Sequence, residues 1–144
     1  MSITFSTDNP LATSADALAL GHNRKGQTEL VPMTQQLMRT FPAAFAAYTR
    51  RCKKDRQKAG DLFYWTQSTP RLLFLTVRDS SVGATRLRHV QKALMTLARD
   101  YRYYNLTSVG IIALGDRYEQ AEITPMYETW FSKSDLKVIV YTPE

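Results

Sequence analysis

The sequence predicts an α/β fold: a mixed central sheet of about six strands with helices on both faces. Three observations carry that reading. Short apolar or β-prone runs recur at residues 3–5, 16–20, 62–66, 72–77, 109–114 and 137–141, each bounded by polar turns. Between several of them, apolar residues repeat every three or four positions, the period of a helix packed on one side. The resulting order is β-β-α-β-β-α-β-α-β, and such alternation sandwiches a sheet between helical layers.

Residues 3–5 form the first strand. Ser6-Thr-Asp-Asn-Pro10 is a turn, since Asp and Asn cap nearby backbone and proline presets φ. The run DALAL (16–20) is short and meets Gly21, which favours a buried strand over a helix. Residues 34–54 read as helical. Thr40 is the expected N-cap of a second segment, with Pro42 in its first turn, where a missing N–H costs nothing. Phe41, Phe45, Tyr48 and Cys52 then share one face.

Ala59-Gly-Asp61 is a turn. LFYWT (62–66) and LLFLTV (72–77) are strongly β-prone, and the residues between them suit a hairpin. Arg78 to Ala84 is a polar loop at a strand end. Thr85 is the expected N-cap of the clearest helix, where Leu87, Val90, Leu94, Leu97, Tyr101 and Tyr104 make one apolar stripe. His89 lies off the stripe and is expected to be exposed, with no carboxylate spaced to use it. VGIIAL (109–114) is a buried strand and 115–120 a loop. Thr124-Pro125 is an expected helix start leading through Met126 and Trp130, and KVIVY (137–141) is the last strand.

Composition narrows the chemistry. At 144 residues, with 44% apolar and 22% charged residues, one globular domain over 1–144 is expected. No apolar run approaches the roughly 20 residues that span a bilayer. MSITFSTDNP lacks the basic start and apolar core of a signal peptide, so a cytoplasmic location and no membrane partner are expected. One cysteine, Cys52, allows no internal disulfide and no multi-cysteine zinc site, and it is expected half-buried in a helix. With only His22 and His89 besides, no metal or other cofactor is expected. The net charge of +6 favours anionic partners: nucleotides, nucleic acid or an acidic protein. Arg50, Arg51, Lys53, Lys54, Arg56 and Lys58 cluster at a helix end. They read either as a solvated end that complements the helix dipole or as a phosphate-contacting patch.

The stretch from Leu18 to Phe45 is where a ligand is expected, because it runs from strand through polar loop to helix. Its loop holds Gly21, His22, Asn23, Arg24, Lys25 and Gly26. There is no Walker A loop, GxGxxG, GxSxG or HExxH, no evident carboxylate pair, and no histidine partner for Cys52. The chemistry therefore has to come from loops.

Five stretches carry a resemblance. ITFSTDNPLATSADALAL, FPAAFAAYTRRC followed by GDLFYW, TVRDSSVGATRLRHVQKAL, SVGIIALG and VIVYTPE occur in an order that resembles the macrodomain family. Within it, the chain looks most like bacterial antitoxin macrodomains that remove ADP-ribose from DNA. The resemblance covers nearly the whole chain and implies a three-layer macrodomain-like fold. The partner it implies is an ADP-ribose-like nucleotide or ADP-ribosylated nucleic acid, and by subfamily analogy a toxin-neutralising role.

By the same resemblance, Asp8 and Asn9 fall where the adenine end is gripped, and Asn23 faces the distal ribose. Gly115 opens the second phosphate loop, and Tyr118 or Tyr141 stacks on adenine. His22, Arg24, Lys25, Gly26, Thr76, Asp116 and Arg117 complete the expected binding set. Asn23 and Arg78 are the expected catalytic pair if glycohydrolase activity is retained, Asn23 orienting ribose or water and Arg78 stabilising negative charge.

The residues depart from the family at four points. Gln27-Thr-Glu-Leu-Val-Pro32 replaces a glycine-rich first phosphate loop, and there Glu29 repels a diphosphate and Pro32 has no N–H to give. Gly115-Asp-Arg-Tyr-Glu-Gln120 adds two acids to the second loop. Arg78 stands near a subfamily lysine, and arginine does not readily change protonation state. Leu20 replaces a polar residue. Two functional expectations follow: a divergent macrodomain that binds ADP-ribose or a related nucleotide, or a non-catalytic module for protein or nucleic-acid interaction.

Overall fold

The computed structural model describes residues 3–142. Their order is β1 (Ile3–Ser6), a 3-10 turn (Pro10–Ala12), β2 (Ala17–Asn23), α1 (Pro32–Thr40), α2 (Pro42–Lys53), β3 (Leu62–Trp65), β4 (Arg71–Arg78), α3 (Leu87–Asp100), β5 (Ser108–Ile112), α4 (Gln120–Phe131) and β6 (Lys137–Tyr141). Met1 and Ser2 of the amino-terminal stretch, and the last two residues of VIVYTPE, lie outside the described residues.

The strands form one mixed sheet in the order β1-β6-β5-β2-β4-β3. Neighbours run parallel except β3, which pairs antiparallel with β4 as the expected hairpin, Leu62 opposite Leu75 and Trp65 opposite Leu72. Alternation along each strand divides the core in two. Ala17, Ala19, Leu73, Leu75 and Val77 join Val90, Leu94 and Leu97 of α3 and Ile123, Tyr127 and Phe131 of α4. Leu18, Leu20, Leu72 and Phe74 face the other way, against Leu37 of α1 and Phe45, Tyr48 and Cys52 of α2. Because both faces are covered, the inner strands read as continuous apolar runs. Each fully buried Leu or Phe contributes about 1.5–3 kcal/mol before its entropy cost. No helix among the described residues is long and apolar enough to cross a membrane.

Element boundaries depart from expectation at several points, among them the start of the first helix, which lies at Pro32 rather than Thr34 because that proline takes the first helical position. β2 continues past Leu20 to Asn23, because β4 runs alongside and pairs with Gly21, His22 and Asn23. The helical stretch is two helices that break at Phe41, and Phe41 rather than Thr40 is the N-cap of α2. The Thr40 hydroxyl instead donates back to the Gln36 carbonyl at 2.9 Å. Arg86 rather than Thr85 caps α3. β5 ends at Ile112, before the last two residues of VGIIAL. α4 begins at Gln120 with Pro125 inside it, not at Thr124, because a turn capped by Asp116 starts the helix early.

His89 is also corrected. Its side chain is mostly buried, and Nε2 lies 3.4 Å from Asp79 Oδ1. The carboxylate comes from the preceding loop, so helical spacing could not reveal it. Cys52 is buried rather than half-buried, and that burial raises its thiol pKa.

Candidate functional site

β1, β6, β5, β2 and β4 all end on one side of the sheet, and the loops that follow them surround a cleft there. Two adjoining cavities of about 400 and 430 Å³ fill it, sharing Val31, Met33, Ile112, Ala113 and Gly115 as walls. The first extends over Gly21, Glu29, Arg78, Thr85 and Arg117. The second extends over Asp8, Asn9, Pro10 and Tyr141.

A buried ion pair lies in the wall of the first cavity. Glu29 is 2% exposed, and its Oε1 is 2.8 Å from Arg78 Nη2. Arg78 also donates to the Gly21 carbonyl at 3.0 Å and the Thr85 hydroxyl at 3.1 Å. Asn23 braces the same loop and is fully buried. Its Oδ1 accepts the Lys25 and Gln27 N–H groups at 3.1 and 3.0 Å, while Nδ2 donates to the Gln27 carbonyl and to Glu29. All four hydrogen-bonding positions of a primary amide are thereby used within the chain.

The loop after β5 is tied in a similar way. Asp116 Oδ1 accepts the N–H groups of Tyr118 and Glu119 at 2.8 and 2.9 Å, and Glu119 Oε1 accepts the Asp116 N–H at 2.7 Å. Gly115, with φ of +78°, supplies the left-handed residue that turns the chain into this loop. At the far end of the cleft, Asn9 Oδ1 caps the 3-10 turn through the Leu11 N–H. The Tyr141 hydroxyl donates to Thr13 at 2.6 Å, which fixes a nearly buried ring.

Neither a protein-family model nor a curated protein sequence matches the chain. Solved structures do. The macrodomain of Mycobacterium tuberculosis DarG aligns over 99% of this chain and 98% of that one, with a TM-score of 0.89 at 21% identity. The macrodomain of Thermus aquaticus DarG aligns over 99% and 97%, with a TM-score of 0.83 at 18% identity. The fold is that of a macrodomain. Thermosipho africanus DarTG in complex with ADP-ribose matches too, over 99% of this chain and 42% of that chain, with a TM-score of 0.89 at 15% identity.

On this macrodomain scaffold the expected site residues separate into two groups. Asp8, Asn9, Arg78, Gly115, Asp116, Arg117 and Tyr141 line the cleft. The others do not. His22 and Gly26 line a separate cavity of about 410 Å³ against α1 and α2. Burial pushes the His22 imidazole down to about 4, with Arg78 reinforcing the shift and Glu29 opposing it. Thr76 is fully buried and bonded to the Tyr48 hydroxyl and Gln57 amide at 2.8 and 2.9 Å. Arg24 pairs with Asp79 at 3.2 Å, Lys25 is exposed, and Tyr118 is 84% exposed with Arg117 over its ring.

Sequence reasoning marked Glu29 as a departure but did not place it against Arg78. It also missed Val31, Met33, Ser81 and Thr85 as cleft walls. No local pattern marks these residues. Their signal is the convergence of strand ends, which only the sheet order reveals.

Proposed function

We propose that the chain binds an adenine-bearing ligand, ADP-ribose or a related nucleoside or nucleotide, by its adenine end in this cleft and does not cleave it. The observation that carries the reading is the pair of adjoining cavities at the strand ends, with Asp8, Asn9 and Tyr141 at one extremity and Arg78 at the other. Asp8 and Asn9 stand where the resemblance puts the adenine grip, and the matching DarTG structure holds ADP-ribose. The absence of cleavage follows from chemistry. Asn23 has no amide position left for a ribose or a water, and Arg78 is committed to Glu29 and cannot shuttle a proton.

Calorimetric titration with adenosine and with ADP-ribose, at low and moderate salt, tests this. At least one should release heat, and Asp8→Ala should weaken it about tenfold, the scale of one hydrogen bond to a charged group. ADP-ribosylated DNA should stay intact on incubation. The absence of heat and of any thermal shift with both compounds would overturn the reading.

One observation favours a second reading, a nucleic-acid or protein interaction module. Arg50, Lys53, Lys54 and Arg56 are exposed and take part in no ion pair among the described residues, whereas Lys58 is paired with Asp55. Binding to a DNA or RNA duplex with a steep salt dependence, abolished by reversing Lys53 and Lys54, would support it.

A further inference from the structure

We infer that the cleft accepts the nucleoside end of such a ligand and refuses the diphosphate, so that its preferred ligand is adenosine-like without a 5′-diphosphate. The inference rests on the reading of the cleft just given. It is carried by what already occupies the phosphate half.

In the first cavity, the carboxylate of Glu29 neutralises Arg78 at 2.8 Å and is itself buried. The cation at that end is therefore already paired. In the loop after β5, the N–H groups of Asp116, Tyr118 and Glu119 are the donors a phosphate would use in a turn leading to a helix. All three are already engaged by the Asp116 and Glu119 carboxylates, and the Glu119 N–H also donates to the Asp116 backbone carbonyl at 3.1 Å. The chain's own carboxylates thus stand where phosphate oxygens would. A diphosphate would have to displace them and then lie beside them and beside Glu29. The remaining cation of the wall, Arg117, is exposed and lies over the Tyr118 ring.

The second cavity is different. Its walls of Val31, Met33, Ile112, Ala113 and Tyr141 are apolar enough for a base, and Asp8 and Asn9 supply polar edges.

Titration of the full chain with adenosine, AMP, ADP and ADP-ribose tests the inference. Affinity should fall with each added phosphate, ADP-ribose binding at least tenfold more weakly than adenosine. In the Asp116→Gly/Glu119→Ala variant, which frees the N–H groups of residues 116 and 118, leaves that of residue 119 with only the backbone carbonyl of residue 116 and removes two charges, the ratio of the two dissociation constants should narrow at least tenfold. Glu29→Gln should narrow it as well. Because that change unpairs Arg78, the loop variant keeps the test decisive if Glu29→Gln fails to fold. Wild-type protein that binds ADP-ribose as tightly as adenosine, or a ratio unmoved in the loop variant, would overturn the inference and leave the adenine reading standing. No binding of any of the four probes by wild type or variants would overturn that reading, and this inference with it.

Discussion

Glu29 and Arg78 meet at 2.8 Å in the wall of the cleft, a buried carboxylate from the loop after β2 against a guanidinium at the end of β4. The pair ties the loop after β2 to the end of β4, which the sheet order merely sets side by side. Asn23 completes it, donating to Glu29 from the last position of β2. The charges of this cavity wall are thus paired with one another.

Removing one partner of a buried pair leaves the other charge uncompensated. Arg78→Met should therefore destabilise the protein by about 3–5 kcal/mol, and the double variant with Glu29→Leu should cost less than the single change. Urea midpoints for the four proteins of the cycle measure this. Losses that simply add would mean the two charges do not depend on each other.

Asn23 acts as a brace, so Asn23→Ala should cost about 1–3 kcal/mol, the range for leaving buried donors and acceptors unpaired. The loss should be local. Amide exchange should quicken at residues 24–29 and stay unchanged in β5 and β6. Asn23→Asp should be worse than Ala near neutral pH, because it sets a second carboxylate against Glu29. Unchanged stability in both variants would contradict the brace.

Much of the architecture was legible because it depends on local pattern. The stripe from Leu87 to Leu97 packs as its spacing requires, and Pro42 sits in the first turn of a helix as expected. Where reading failed, a distant partner had overridden a local preference. Gly21-His-Asn23 has the composition of a loop, yet β4 draws it into the sheet. Thr124-Pro125 has the signature of a helix start, yet the Asp116 carboxylate starts α4 earlier.

The site was less legible, for the same reason. A cleft is made by loops that converge only after the strands are ordered. Asp8 and Tyr141 belong to opposite ends of the chain, yet they share one cavity because β1 pairs with β6. Thr76 and His22 lie at strand ends like true cleft residues, but the side-chain alternation of the strand turns them toward α2.

Burial of His22 has a pH consequence. The imidazole is held neutral in the fold, at about 4, against 6.5 for the free side chain. Its contribution is therefore complete above pH 6.5, is lost as pH falls toward 4, and is constant below that. The whole effect is about 3 kcal/mol. Urea midpoints of wild type and His22→Gln at pH 7 and 4.5 isolate it from the carboxylates. Wild type should lose about 2–3 kcal/mol more than the variant over that interval. Parallel slopes would mean that His22 takes up its proton without unfolding.

Gly110 links the core to the proposed adenine end. It lies on β5 beneath the Tyr141 ring, and a Cβ there would stand 2.7 Å from Tyr141 Cε2 and 3.1 Å from Thr13 Oγ1. Both are partners in the hydroxyl bond that fixes the ring at the cavity wall. Gly110→Ala should force the ring outward, break that bond and cost about 1–3 kcal/mol, as overpacking of a filled core does. At a temperature where the variant remains folded, its affinity for adenosine should still be lower than that of wild type, because the displaced ring narrows the cavity. Lost stability with unaltered adenosine affinity would place the adenine elsewhere than beside Tyr141.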